Sequence, residues 1–136
     1  MVRRDIEKDV VPYAIENNKA ILVYSPLQLG LLTGKMKPGQ EFGEGDLRKG
    51  HRLFTPESVT RINAMLNKIR PLAETKNATL GQLVLRWTLA QPGITVALVG
   101  ARNPEQAVQN AKTVDIQLSF EEVDFINKQL QTLNLA

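Results

Sequence analysis

The sequence predicts an α/β fold with parallel strands, on three observations. Two short runs, AILVYS at residues 20–25 and TVALVG at residues 95–100, are continuously apolar, which is how strands buried on both faces of a parallel sheet read. Segments with apolar residues at helical spacing stand between and around those runs. Helix-start residues precede most of these segments, so helices and strands alternate along the chain.

Residues 4–18 place Ile6, Val10, Tyr13 and Ala14 at helical spacing, and Pro12 sets the helix start near Val10 or kinks the helix there. The first strand, residues 20–25, follows. The stretch PLQLGLLTGKMKPGQEFGEGD is rich in glycine and reads as a long irregular loop, the kind that more often carries function than decoration. Thr55 then caps a helix with Pro56 at its first position, and Val59, Ile62, Leu66, Ile69 and Ala73 form one apolar stripe that Pro71 is expected to kink. Thr79 and Gln82 have capping-box spacing, and Leu80, Leu83, Val84, Trp87 and Ala90 form the predicted buried face of the helix they open. Gln91-Pro92-Gly93 ends it before the second strand. Asn103 caps a short helix with Pro104 first and Gln106 third. Ser119 and Glu122 box the last helix, whose apolar face is Val123, Ile126, Leu130 and Leu133.

The 136 residues form one domain, 43% hydrophobic and 23% charged, as in ordinary globular proteins. No apolar run is long enough to span a membrane, and MVRRDIEKDV is too charged for a signal peptide, so a cytoplasmic location is expected. The absence of cysteine excludes disulfides and thiolate metal sites, and the single histidine, His51, argues against a histidine-built one; no metal site is expected. The net charge of +3 is scattered rather than gathered with aromatics, which argues against nucleic acid as a partner. His51, in a charged loop, is expected in solvent, and Tyr13 is expected to pack. Two parallel strands leave unpaired N–H and C=O groups along their edges, so the sequence reads as part of a larger sheet whose neighbours lie on another chain or on sequence outside this one.

The segment VGARNPEQAVQN carries the chemistry. Gly100 at a strand end admits close approach to the backbone, and Asn103-Pro104 starts a helix whose free N–H groups and dipole aim at the same place. Arg102 adds a guanidinium fork suited to phosphate, which makes an anion site at a helix N-terminus. Gln106, Gln109 and Asn110 lie on the following turns, with amides that donate and accept as an adenine edge requires. The bland alternative, a surface arginine beside a plain helix cap, weighs about equally on this segment alone. In YSPLQLGLLTGK, Tyr24 and Ser25 stand at a strand end, where an aromatic can stack on a flat heterocycle, and a glycine loop ending in Lys35 can hold a diphosphate. A buried tyrosine and a solvated lysine are the alternative there.

Taken together, YSPLQLGLLTGK and the later VGARNPEQAVQN make the chain resemble the aldo-keto reductase superfamily, over nearly its whole length. The likeness is greatest to the branch of bacterial general reductases and potassium channel β-subunits. It implies a (β/α)8 TIM barrel, of which this chain would be the C-terminal portion: the seventh and eighth strands with surrounding helices, residues 1–136 forming one partial domain of an incomplete barrel. Such barrels build phosphate sites after their last two strands. It also implies NADPH-dependent reduction of a small-molecule carbonyl substrate by hydride transfer. Tyr24 would stack on the nicotinamide, and Ser25, Pro26 and Leu27 would line the cofactor. Gly30, Leu32 and Lys35 would follow the pyrophosphate. Gly100, Arg102 and Gln106 would hold the 2′-phosphate end, and Gln109 and Asn110 would read the adenine. The family commonly has Glu-Asn at that last pair, so weaker binding is expected here. The resemblance also puts Arg48, in GDLRKG, within reach of the cofactor, on a loop that varies too much to match a family position.

The family's tyrosine acid and its lysine, aspartate and histidine helpers lie in the first half of the barrel, and no residue here matches them. No catalytic residue is therefore assigned, and the chain is expected to be a truncated product or fragment that does not turn over alone. Two further readings stand beside this one: a non-catalytic NADP(H)-binding module, and a ligand-free homo-oligomer paired through exposed strand edges.

Overall fold

The computed structural model describes residues 1–133 and 135. Its elements are α1 (Val10–Glu16), β1 (Ile21–Tyr24), α2 (Pro56–Thr75), α3 (Leu80–Leu89), β2 (Ile94–Leu98), α4 (Pro104–Ala111) and α5 (Phe120–Gln131), in the order expected from the sequence. Short 3₁₀ turns at Leu31–Thr33, Arg52–Phe54 and Lys112–Asp115 punctuate the connections.

The caps form as the sequence indicates. Thr55 accepts the Ser58 N–H at 3.2 Å with Pro56 first in α2, and Asn103 accepts the Gln106 N–H at 2.8 Å with Pro104 first in α4. Thr79/Gln82 and Ser119/Glu122 are both complete capping boxes. α1 starts at Val10 and takes Pro12 into its first turn, where its missing N–H has no helical partner to lose. α2 runs through Pro71 without a break. Ile69 and Ala73, on either side of it, are both buried, and that packing offsets a cost of about 3 kcal/mol for an interior proline.

β1 and β2 pair in parallel, with Leu22 opposite Val96, Val23 opposite Ala97 and Tyr24 opposite Leu98. A bulge falls between Ile21 and Leu22, because Thr95 is the extra residue of β2. Its hydroxyl accepts the Ile21 N–H at 3.2 Å. The expectation of strands buried on both faces is corrected: burial alternates, and Leu22, Tyr24, Val96 and Leu98 are 54%, 77%, 38% and 50% exposed. Among the described residues neither strand has a second neighbour, so one face of the sheet is covered and the other is open.

The core lies instead among the helices. Ile62, Leu66 and Ile69 of α2, Leu83 and Val84 of α3 and Ile126 of α5 are fully buried, with Leu31 and Leu53 added from the connections. Trp87 closes this cluster, donating from its indole N–H to the Asn127 Oδ1 at 3.2 Å. Three residues, Ala90, Tyr13 and His51, differ in burial from expectation. Ala90 lies just past the end of α3 and is exposed, while Val11 rather than Tyr13 is the buried partner of Ala14 in α1. α1 turns Val11 toward the bend before β2, where a Cβ on Gly93 would lie 3.1 Å from Val11 Cγ1; Gly93 has φ +76° as well. His51 is half-buried rather than in solvent, because its Nδ1 accepts the Leu53 N–H at 3.1 Å.

Leu66→Ala is expected to remove about 2–5 kcal/mol of stability, a core cavity in the helix layer, read from urea unfolding.

Candidate functional site

Two segments leave the same end of the sheet. Ser25 follows Tyr24, and Gly100 stands two residues beyond its pairing partner Leu98. The chain after β1 is wound tightly: Ser25, Gln28 and Leu29 have φ of 49°, 48° and 53°, and Gly30 and Gly34 have 87° and 72°. Left-handed non-glycine residues cost about 1–3 kcal/mol each, and such strain gathers at ligand-holding sites. Local bonds fix it here. Gln28 N–H donates to the Ser25 carbonyl at 2.8 Å, the Thr33 hydroxyl to the Gly30 carbonyl at 2.7 Å, and Leu31 and Leu32 anchor the turn in the core. The segment rests on the N-terminus of α3, where a Cβ on Gly34 would meet Leu80 Cδ1 at 2.7 Å. Asn63 of α2 ties the loop further on, donating to the Met36 carbonyl at 2.8 Å.

The residues of the first segment have different surroundings. Tyr24 presents its ring on the open face of the sheet, Ser25 and Lys35 are exposed, and Pro26, Leu27 and Gly30 are half-buried. Nothing lies within 4 Å of the position a Cβ would take on Gly30 or Gly100, so a ligand has room at both backbones. Leu32 is the exception. The whole residue is 1% exposed, and its N–H donates to the Leu27 carbonyl at 3.2 Å, so it faces the helical core rather than the open side of the loop.

On the second segment, Gln106 reaches back and accepts the Arg102 N–H at 2.9 Å, and Asn110 Nδ2 donates to the Gly100 carbonyl at 3.2 Å. These two bonds hold the Gly100–Arg102 stretch against α4. Of the first three positions of α4, Pro104 has no N–H and that of Gln106 is taken by Asn103, so the helix end is poorer in free donors than its sequence suggests. The Arg102 guanidinium, exposed and without a carboxylate bonded to it among the described residues, is the main positive group there. Gln109 lies on the side toward α3, where its carbonyl and Oε1 accept from Gln82 Nε2 at 2.7 and 3.3 Å.

Arg48 gains a place that its sequence context does not give. It bonds Asp46 through its backbone N–H and its side chain, and its guanidinium lies 4.5 Å from the centre of the Phe42 ring. Phe42 in turn meets Phe54 edge-on at 5.6 Å. The Asp46 carboxyl is lowered from its ordinary 3.8 to about 2, first by the Arg48 side-chain bond, then by its N–H, with smaller help from the charges of Arg48 and Arg102. The long loop therefore lies within the field of the arginine on the other segment. The only sequence signal was the Asp-x-Arg spacing.

The family model described as "Aldo/keto reductase family" matches residues 1–131. The chain belongs to that family. The aldo-keto reductase YhdN of Bacillus subtilis strain 168 is 34% identical over 132 residues, 96% of this chain and 40% of that protein. The NADH-specific methylglyoxal reductase of Escherichia coli K12 is 30% identical over 130 residues, 96% of this chain and 39% of that protein. Among solved structures, the glycerol dehydrogenase AKR11B4 from Gluconobacter oxydans superposes with a TM-score of 0.87 at 34% identity, covering 98% of this chain and 41% of that one. This aldo-keto reductase chain thus spans about two-fifths of the length of those relatives. No helix among its described residues is long and apolar enough to cross a membrane.

The pairing of Asp46 with Arg48 carries a pH prediction. Because the folded value is depressed, its stabilising contribution is complete above the ordinary carboxylate range and is lost as pH falls through about 2. The Asp46 carboxyl carbon is expected to titrate with a midpoint near 2 by NMR, and Arg48→Met should return it toward 3.8.

Proposed function

We propose that this chain is the C-terminal, dinucleotide-holding part of an aldo-keto reductase barrel, its strands the seventh and eighth, and that its dinucleotide is NADP(H). The observation that carries the reading is the pairing of Tyr24 with Leu98, which brings the strained loop and the Arg102 segment to one end of the sheet. The open space at Gly30 and Gly100 fits a cofactor lying along both backbones.

Tyr24, bare on the sheet face, would stack on the nicotinamide, with Ser25, Pro26 and Leu27 beside it. Lys35 and the backbone of Gly30 would follow the diphosphate, with Leu32 beneath them in the core. Arg102 would take the 2′-phosphate, held in place by the bonds that Gln106 and Asn110 make to its own segment. Gln109 and Asn110 would face the adenine. Bound there, the cofactor supplies a hydride to a carbonyl carbon. The chain contributes no acid of its own to that transfer, so it holds the cofactor without completing a small-molecule reduction alone.

Relatives point to both nicotinamide cofactors: one is named for NADH, and the aldo-keto reductase yakc of Schizosaccharomyces pombe for NADP(+). Arg102 favours the phosphorylated form for this chain. Calorimetry is expected to show tighter binding of NADP⁺ than of NAD⁺. Arg102→Ala is expected to weaken NADP⁺ by about 1.5–3 kcal/mol with little effect on NAD⁺, as for a lost charge-assisted bond. Equal affinities for the two, or an unchanged NADP⁺ affinity in the variant, would remove the 2′-phosphate assignment.

The open face of Leu22, Tyr24, Val96 and Leu98 favours a second reading, association of copies through the sheet. Sedimentation velocity is expected to give a dimer or larger species on that reading, and a monodisperse monomer removes it.

A further inference from the structure

Gln82 links two elements that the sequence treats separately. It is the third residue of α3 and is 8% exposed. Its Oε1 accepts the Thr79 backbone N–H at 2.9 Å. A backbone N–H only donates, so this bond fixes which end of the Gln82 amide is oxygen. Nε2 then faces α4, where it donates to the Gln109 carbonyl at 2.7 Å and to Gln109 Oε1 at 3.3 Å. A donor there requires oxygen opposite it. The Gln109 amide is therefore oriented with its own NH₂ turned away from α3.

We propose that Gln82 is a positioning residue that sets the sense in which Gln109 reads the purine: Gln109 offers N–H groups to an acceptor atom of the base rather than oxygen to the 6-amino group. The proposal rests on the reading of α4 as the adenine-binding element. A glutamate at position 109 would offer only acceptors, so a glutamine there reverses the polarity of one contact. Asn110 is tied separately, its Nδ2 to the Gly100 carbonyl, which leaves its Oδ1 as an acceptor whatever Gln109 does. A change in base preference on altering Gln82 therefore reports on Gln109.

The test compares NADP⁺ with its hypoxanthine counterpart, in which an oxygen acceptor replaces the 6-amino donor. Gln82→Glu keeps the Thr79 cap, because a carboxylate accepts the same N–H. It cannot donate to Gln109, whose amide then turns over to meet it. The expected result is a shift of about fivefold in relative affinity toward NADP⁺, the worth of one neutral hydrogen bond, with thermal unfolding lowered because the introduced carboxylate also cannot donate to the Gln109 carbonyl. Gln109→Glu, which retains Gln82 as donor, is expected to shift the preference the same way, and an unchanged preference in it overturns the proposal if Gln82→Glu does not fold. An unchanged preference in the folded variants, with Arg102→Ala still weakening NADP⁺, overturns the role of Gln82 and leaves the site reading standing. No binding of NADP⁺ by the unsubstituted chain, or no loss in either Arg102→Ala or Gln109→Ala, overturns the site reading and the proposal with it.

Discussion

Everything at the site depends on one ladder of parallel hydrogen bonds, that between β1 and β2. The strands are far apart in sequence, and only their pairing brings Ser25 and Gly100 to a common edge. A parallel pair cannot be closed by a tight turn. The chain must travel back along the outside, and here the long loop, α2 and α3 make that return. The return path also supplies most of the core, since α2 and α3, joined by α5 from beyond β2, bury the large apolar side chains while the sheet keeps one face bare. Stability and site are thus carried by different layers, joined where the loop after β1 rests on the start of α3.

That junction explains why the first segment can hold so many left-handed residues. Leu31 and Leu32 sink into the helical core and leave the backbone on either side of them little freedom. Burial of two leucines can offset about 3–6 kcal/mol, a large part of the roughly 3–9 kcal/mol that Ser25, Gln28 and Leu29 together require. Seen this way, Leu32 helps to shape the loop from beneath, whatever lies on top of it.

Local chemistry was legible in the sequence. Thr55-Pro56, Asn103-Pro104 and the two capping boxes each announce a helix start within a few residues, and the structure has all four. The stripe from Val59 to Ala73 was equally plain. What failed to show was whatever depends on distant partners. The run Ala20-Ile21-Leu22-Val23 looks the same whether one face or two are covered, because hydrophobicity records a preference for burial and not the presence of a neighbour. Tyr13 stays exposed for a related reason: spacing puts it near the apolar stripe, but Val11 is the residue that meets the bend at Gly93. The bonds from Gln82 to Gln109 and the influence of Arg102 on Asp46 cross between segments, and no pattern within either segment encodes them.

The bulge at Thr95 has a consequence for how this strand tolerates changes of length. Beyond Thr95, β2 resumes alternation with Ala97 on the covered side and Val96 and Leu98 on the open one. The extra residue absorbs one unit of phase. Excising Thr95 would leave a regular strand with every later side chain facing as before, at the cost of the hydroxyl that accepts from Ile21. Excising Val23 from β1 would instead rotate Tyr24 to the covered side. The two strands are therefore unequal under insertion and deletion: β2 has a place where its reading frame of faces can slip harmlessly, and β1 does not.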